Sequence, residues 1–487
     1  MSGAYLELAR AHAPLLVVAL PLVGAALMLV SGPARLCWIV GGAIGVAGSV
    51  IAADLALRVF SGAQVAIAIV GVPLFADGIG VFGVAVVAAV GALIVIAAGA
   101  FLKDAGARVA PLSLALLFCV VAGWSGALMA RDLIGVFVAA ETAWLAATGL
   151  TALHAARDRA ALNGALRMLG AGGVAAALTL LGIAMLWRGV GSLNLDALPL
   201  AHIGAPDLAG AGAVLIMLGL AVKAGIAPFH TWAGASLGRG GPVVALGVGA
   251  LGILGGLTMI ARFAGYAITA PEIGAGVSAS LGAMGGVSVV IGSVQAVGAS
   301  NVARLAAYAC VSQAGLILLS IALGSPAGFA ATLVQLLAFA AAGLALYGGA
   351  ASGRVQALAM LDGYGQRAPL ASAAITAGAL SLMGAPLTLG FLGRWRLVEA
   401  GVGAGWWWAS GLVIIASLAG VFYGGRLIER IYFRRANETF AGDTGWSRLA
   451  LAPALIAAIV TIAFGAAPGA LLRATATAAS MLTGIGP

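Results

Sequence analysis

The feature of the sequence that most restricts its fold is a series of long apolar stretches, about fourteen by the length that a bilayer-spanning helix needs. In hydrocarbon every backbone polar group must find its hydrogen bond within the protein, so such stretches fold as helices. The longest polar segments between them, Arg188–Asp207 and Arg434–Arg448, are too short for a soluble domain. The sequence therefore predicts an all-α integral membrane protein. Its helices are expected to begin near Pro14, Leu36, Ile79, Pro111, Asp132, Gly164, Leu208, Pro242, Ile273, Val302, Gly328, Ala371, Trp406 and Leu449.

The composition agrees with insertion into a bilayer. Only 8% of the 487 residues are charged, whereas soluble domains average about 25%. The 74 glycines are typical of helices that approach each other closely in lipid. The net charge of +9 lies in short loops, where it sets topology and predicts no nucleic-acid partner. The three cysteines stand apart in apolar surroundings, so we expect buried side chains and no metal site.

The distribution of basic residues predicts the orientation of the chain. With the N-terminus outside, 15 basic residues fall on the cytoplasmic side and 8 on the other. Because basic residues concentrate in cytoplasmic loops, both termini are expected on the outer, periplasmic side of the cell's inner membrane.

One lysine lies where a membrane helix should carry no charge. Lys223 is inside the apolar run AGAVLIMLGLAVKAGIAPFHTW, and it is one of only two lysines against 22 arginines. An ammonium can release its proton when it is desolvated, whereas a guanidinium cannot. A lysine at this position therefore suggests a site that changes its charge state.

A glutamate is the second charge within a predicted span. Glu141 lies in DLIGVFVAAETAWLAATGLTAL, and helical spacing places it on one stripe with Trp144, Thr148 and Thr151. Ionisable residues inside membrane helices are rare and usually belong to ion pathways. The alternative is a glutamate that only hydrogen-bonds a neighbouring helix.

Proline interrupts the helix that carries the lysine. Pro228 has no N–H, so the helix is expected to break just after Lys223. Helical spacing places His230 on the same face as Lys223, seven residues further on. A similar interruption occurs in ALSLMGAPLTLGFLGRWRLVEA, where Gly384, Pro386 and Gly390 should break the span and Arg394 should close it. Two broken spans, one in each half, indicate internal repeats with a site at each break.

These motifs resemble the antiporter-like membrane subunits of respiratory complex I, Mrp-type sodium/proton antiporters and energy-converting hydrogenases. The resemblance covers most of the chain and is carried by ADGIGVF at the start of helix three, RDLIGVFVAAETAWL in helix five, KAGIAPFHTW with GGPVVAL in helix seven, NVARLAAYACVSQAG in helix ten and LSLMGAPLTLGFLGRW in helix twelve.

The resemblance implies fourteen helices that contain two inverted five-helix repeats. The corresponding divisions are residues 1–110 for helices one to three, 111–262 for helices four to eight, 263–435 for helices nine to thirteen and 436–487 for helix fourteen. It also implies that Glu141 and Lys223 form the pair that the family uses as a charge switch. Two unit charges at about 4 Å and an effective dielectric near 20 attract by about 4 kcal/mol, so separating the pair would release the proton of the lysine.

The sequence departs from the family pattern beyond this pair. Helix eight reads GVGALGILGGLTMIARF, with no titratable group before Arg262, which is expected at the helix end. Helix ten carries Ser312 and Gln313 where a histidine is usual, and helix twelve carries Arg394 in place of lysine or glutamate. Arg394 would then be a fixed charge that hinders a proton, or a contact to a neighbouring subunit. The hypothesis for the second half is water bridged by Tyr308, Ser312, Gln313 and Thr388.

The leading functional prediction is a proton-translocating subunit of a redox-driven complex of the NADH:quinone oxidoreductase or membrane-bound hydrogenase type. The sequence holds no flavin, haem, iron–sulfur or nucleotide motif, so no cofactor and no catalytic residue is expected in this chain. Peripheral redox subunits and other membrane subunits would supply the energy. The alternatives are a non-pumping structural or modulatory subunit, or the ion-conducting partner of an inorganic-carbon uptake complex. A sodium/proton exchanger is disfavoured because Glu141 is the only intramembrane acid identified.

Overall fold

The protein is a bundle of long helices. A computed structural model describes residues 2–30, 32–69, 72–102, 108–154, 159–200, 203–238, 240–353, 355–436 and 448–483. The first ten α-helices are α1 (Ser2–Ala11), α2 (Ala13–Val30), α3 (Ala34–Phe60), α4 (Gly78–Phe101), α5 (Val109–Met129), α6 (Leu133–His154), α7 (Arg159–Val190), α8 (Pro206–Lys223), α9 (Thr231–Leu237) and α10 (Gly241–Val244). The others are α11 (Ile253–Ile268), α12 (Gly274–Gly298), α13 (Val302–Ala322), α14 (Pro326–Ser352), α15 (Tyr364–Arg367), α16 (Pro369–Met383), α17 (Leu389–Gly403), α18 (Trp407–Tyr432), α19 (Arg448–Ala466) and α20 (Gly469–Thr483).

Thirteen helices in the described part of the chain are long and apolar enough to cross a membrane. One of them, Gly241–Ile268, joins α10 and α11 through a π-helical stretch, Ala245–Gly252. The span predicted near Ala371, which was expected to be interrupted, is formed by two shorter helices in tandem, α16 and α17. The predicted class, an all-α multi-pass membrane protein, is confirmed. The two inverted repeats and the outward orientation of the termini stay predictions.

The centre of the bundle is formed by the helix Gly241–Ile268 together with α13 and α14, whose side chains are nearly all buried. Helices α2, α3, α7, α12 and α18 lie outside and carry many exposed large apolar side chains. Small residues allow the closest helix contacts. A Cβ atom on Gly212 of α8 would lie 2.6 Å from the carbonyl oxygen of Gly182 in α7, so only glycine permits this approach.

A short antiparallel hairpin precedes α4, and no pattern in the sequence had indicated it. Strands β1 (Ala66–Ile69) and β2 (Val72–Phe75) pair with Ala66 opposite Phe75. Leu74 also forms an isolated bridge to Ala130 at the end of α5. The hairpin therefore connects the start of α4 with the end of α5.

The helix that carries Lys223 breaks at this residue. Helix α8 ends at Lys223, and Gly225 turns the backbone with φ +64°, a conformation that favours glycine. The chain resumes as α9 at Thr231. The predicted break is therefore present, but the expected helical face shared by Lys223 and His230 is wrong, because no helix connects them.

The second interrupted helix breaks at Gly384, the first of the residues that were expected to interrupt it. Helix α16 stops at Met383, Gly384 turns the backbone with φ +77°, and Thr388 caps α17 by accepting a hydrogen bond from the Phe391 N–H at 3.3 Å. Pro386 lies between the two helices. Gly390 and Arg394 were expected to break and to close this span. Both lie inside α17 instead, because the cap at Thr388 starts a new helix before them.

Candidate functional site

The two predicted intramembrane charges meet in an ion pair. Lys223 Nζ donates a hydrogen bond to Glu141 Oε1 at 2.8 Å, which joins the last residue of α8 to the middle of α6. The lysine side chain is 1% exposed and that of the glutamate 18%. The pair is therefore asymmetric, with an enclosed ammonium and a carboxylate that reaches the lateral surface of the bundle.

Trp144 lies against the ammonium and packs on a second tryptophan. Nζ of Lys223 lies 5.3 Å from the ring centroid of Trp144, within the range of a cation–π contact. Trp144 meets Trp232 edge-on, with ring centroids 4.9 Å apart. Their indole N–H groups donate to the carbonyl oxygens of Met168 at 3.2 Å and Val222 at 2.8 Å. These contacts fix both rings, so the pocket around the ammonium is rigid and apolar.

The remaining polar residues of the predicted stripe on α6 do not extend the ion pair. Thr151 donates its hydroxyl to the Ala147 carbonyl oxygen at 3.0 Å within its own helix. The Thr148 hydroxyl is buried and has no hydrogen-bond partner among the described residues. Neither hydroxyl therefore hydrogen-bonds the Glu141 carboxylate.

The segment between α8 and α9 is held by α12. The Ala227 N–H donates to the Ser288 hydroxyl at 2.9 Å, and His230 Nε2 lies 2.7 Å from Gln295 Oε1. Ser288 and Gln295 are seven residues apart and share one face of α12. The His230 ring also meets the Tyr308 ring of α13, with centroids 6.2 Å apart. His230 therefore connects the broken helix to the second half of the chain.

A row of neutral polar side chains continues from there. Ser312 shares a hydrogen bond of 3.0 Å with Ser293. Gln313 Nε2 lies 3.5 Å from Gln335 Oε1, and Gln335 in turn donates to the Ser320 hydroxyl at 2.5 Å. Gln313 Oε1 is buried without a partner in the described residues. The predicted residues Tyr308, Ser312 and Gln313 are thus in one region.

Thr388 belongs to the cap of α17 and not to the row of neutral polar side chains. Its hydroxyl donates to the Ala385 carbonyl oxygen at 2.6 Å and accepts from the Phe391 N–H, so both functions belong to the cap of α17. Gln295 and Gln335 extend the row instead, beside His230 and Gln313, and sequence reasoning missed both. Each is an amide within an apolar span, and that was the only signal that marked them.

Arg394 lies at the second helix break and is 5% exposed. Its guanidinium donates to the carbonyl oxygens of Leu382 and Met383 at the end of α16, and to the Ser417 hydroxyl at 2.8 Å. The side chain is therefore enclosed within the subunit. This placement disfavours the alternative that Arg394 contacts a neighbouring subunit.

A second buried ion pair lies at the hairpin end of the bundle. Arg262 Nε donates to Asp77 Oδ2 at 2.5 Å, and Nη1 donates to the Ala130 carbonyl oxygen at 2.7 Å. The Tyr266 hydroxyl donates to the same Asp77 oxygen at 3.1 Å, while Asp77 Oδ1 caps α4 through the Gly80 N–H at 2.7 Å. The cluster ties α4, α5 and α11 together.

The expectation for Arg262 was wrong. Arg262 lies in the interior of α11 and is fully buried, where the sequence suggested a helix end. Asp77, the N-cap residue of α4, is buried beside Arg262. The helix continues beyond Arg262 because Asp77, 185 residues earlier, neutralises its charge.

Replacing Arg262 by glutamine should destabilise the protein by about 3–5 kcal/mol, because Asp77 would remain buried without its counter-charge. Thermal melting of the detergent-solubilised protein, followed by fluorescence-detected size exclusion, measures the effect. Arg473→Gln on the exposed face of α20 is the matched control and should melt like the wild type. The double variant Arg262→Gln/Asp77→Asn should recover most of the loss. A double variant no more stable than Arg262→Gln would contradict an electrostatic origin.

Comparison with known proteins identifies related chains. The family model described as NADH:quinone oxidoreductase/Mrp antiporter, TM, matches residues 130–420. NADH-quinone oxidoreductase subunit N of Cereibacter sphaeroides is 33% identical over 317 residues, which cover 65% of this chain and 68% of that protein. NADH-quinone oxidoreductase subunit N 2 of Acidobacterium capsulatum is 30% identical over 377 residues, which cover 74% of this chain and 75% of that protein.

Solved structures share the fold over almost the whole chain. A chain of the Mrp complex from Dietzia sp. DQ12-45-1b superposes with a TM-score of 0.85 at 23% identity and covers 97% of both chains. A chain of respiratory complex I from Thermus thermophilus with bound Aureothin gives a TM-score of 0.78 at 23% identity, covering 94% of this chain and 98% of that one. At this identity the likeness establishes the fold.

Proposed function

The chain belongs to the NADH:quinone oxidoreductase/Mrp antiporter transmembrane family, and we propose that it is the proton-translocating, antiporter-like subunit of a multisubunit redox-driven complex. The family resemblance predicted from the motifs is confirmed. Since the curated relatives are named NADH-quinone oxidoreductase subunit N, we propose an NADH:quinone oxidoreductase in the cell's inner membrane.

The observation that carries the proposal is the ion pair of Lys223 and Glu141 at a broken helix. While the pair is closed, each charge stabilises the other by about 4 kcal/mol at an effective dielectric near 20. When Glu141 turns toward the lateral surface, the ammonium remains in the apolar pocket of Trp144 without a counter-charge and releases its proton. Return of the carboxylate favours protonation again. The pair thus couples a push on Glu141 to the movement of one proton.

The proton would leave the pair toward the second half of the chain. His230 is the titratable group next to the break, and its contacts with Gln295 and Tyr308 lead away from α8. Beyond them the side chains are neutral, so water between Ser312, Gln313 and Gln335 would have to conduct. The buried, unpartnered Gln313 oxygen supports a water site there.

The energy for this cycle would come from partner subunits. We propose other membrane subunits beside Glu141, and peripheral subunits that hold the redox cofactors. The neutral second half and the fixed charge of Arg394 favour one alternative, a modulatory subunit derived from a pump. The second alternative, an ion-conducting partner of an inorganic-carbon uptake complex, differs from both because its soluble partner would bind zinc and carry no redox cofactor.

Purification of the tagged chain from native membranes tests the proposal. We expect co-purification of several membrane subunits with flavin- or iron–sulfur-containing proteins, and NADH:quinone oxidoreductase activity in the purified fraction. Mass spectrometry and visible absorption spectra of that fraction identify the partners. Hydrogenase-type redox partners would change the electron donor and keep a redox-driven pump. A single zinc-binding soluble partner without redox cofactors would contradict the proposal and support inorganic-carbon uptake.

A further inference from the structure

The neutral polar row of the second half ends against α17. A Cβ atom on Gly393 would lie 2.5 Å from Cγ of Gln335, so the two residues are in direct contact. Arg394 is the next residue of α17 and is nine-tenths or more buried. The polar row of Ser312, Gln313 and Gln335 therefore ends against α17 one residue from Arg394.

The broken end of α16 is built around Arg394. The last carbonyl groups of a helix lack helical partners and carry the negative end of its dipole. The guanidinium satisfies two of them, Leu382 and Met383, from across the break. Gly384 leaves room for this arrangement, since a Cβ atom there would lie 2.6 Å from Arg394 Nη1. The Tyr423 hydroxyl donates to the same Leu382 oxygen at 3.2 Å.

The charge at this position is permanent. A guanidinium is not deprotonated in proteins, and no carboxylate of the described residues forms an ion pair with Arg394. The nearest acid along α17, Glu399, instead pairs with Arg396 at 2.8 Å on the exposed side of the helix. Carbonyl dipoles and the Ser417 hydroxyl stabilise the cation without cancelling its charge.

We propose that Arg394 is an electrostatic barrier that prevents protons and other cations from passing through the break between α16 and α17. At about 4 Å and an effective dielectric near 20, repulsion by one unit charge slows the passage of a cation on the order of a thousandfold. Arg394 thereby keeps the hydrated polar row from becoming a leak across the membrane. This role does not require the Glu141–Lys223 pair to switch.

Passive proton conductance of vesicles that contain the intact complex tests the barrier. A pH gradient is imposed without electron donor, and an enclosed pH-sensitive dye reports proton entry. Arg394→Met keeps an apolar stem and removes the charge, so conductance should rise at least about tenfold. Arg394→Lys replaces the permanent charge by an amine that can release its proton when it is desolvated, so conductance should rise here too, by less than in Arg394→Met. Arg396→Gln, which removes an exposed guanidinium two residues away, is the matched control and should not change conductance.

A second variant leaves Arg394 in place. Ser417→Asp puts a carboxylate where the serine hydroxyl now accepts from Nη1 at 2.8 Å, and should raise conductance by neutralising the guanidinium. Wild-type conductance in both assembled Arg394→Met and Ser417→Asp complexes would overturn the barrier. A leak in Arg394→Met with wild-type conductance in Ser417→Asp would also overturn it, because lost capping of α16 would then be the cause. The measurement involves no turnover, so its outcome is independent of whether the complex pumps.

Discussion

Complexes that carry Lys223→Ala should assemble with normal redox activity and lose proton translocation through this subunit. The variant removes the only amine at the helix break. It also removes an attraction to Glu141 of about 4 kcal/mol, which corresponds to a decrease in the translocation rate of roughly three orders of magnitude. Proton uptake by reconstituted vesicles during NADH oxidation, expressed per electron, measures the effect.

Lys223→Arg separates the two roles of the residue. Arginine keeps a positive charge opposite Glu141 but cannot release a proton, so this variant should be as defective in translocation as Lys223→Ala while it assembles at least as well. Normal proton flux in Lys223→Ala would reject the switch and support a modulatory subunit. Normal flux in Lys223→Arg alone would show that a fixed cation suffices.

Glu141→Gln should also abolish translocation, and it should destabilise the subunit in addition. The amide keeps a hydrogen-bond acceptor near Lys223 Nζ but removes the counter-charge of a side chain that is 1% exposed. Breaking one partner of a buried pair costs about 3–5 kcal/mol. Proton uptake per electron and the melting temperature of the purified complex are the two measurements.

Thr142→Val is the matched control for Glu141, because Thr142 is the next residue of α6, is exposed and bonds only to the Val138 carbonyl oxygen in the described chain. It should pump and melt like the wild type. The double variant Glu141→Gln/Lys223→Met leaves no unpaired charge, so it should regain stability without regaining translocation. If the double variant also pumps, neither charge belongs to the route.

The local features of this protein could be predicted from the sequence because their causes are local. Apolar stretches of sufficient length give the membrane helices, and Gly225 with Pro228 ends the helix at Lys223. The same reasoning failed for His230, because helical spacing has no meaning across a break that the sequence itself indicated.

The features of the site that could not be predicted from the sequence depend on contacts between distant residues. Arg262 is stable inside α11 only because Asp77 lies beside it, and nothing in the vicinity of either residue marks the other. Gln295 and His230 are 65 residues apart, and amides in apolar spans also hydrogen-bond neighbouring helices without any functional role. A threonine hydroxyl can take part in a proton relay, but both hydrogen bonds of the Thr388 hydroxyl cap α17.

The enclosure of Lys223 has a practical consequence for experiments on the working complex. Reagents that acylate amines do not modify guanidinium groups, and only one other lysine, Lys103, exists in the chain. In a Lys103→Arg background, such a reagent has a single side-chain amine to modify in this subunit. While the tryptophan pocket and the carboxylate cover the amine, it is shielded from acylation. The rate of labelling during turnover would then count how often the pair opens, without any cysteine or fluorophore introduced into the membrane.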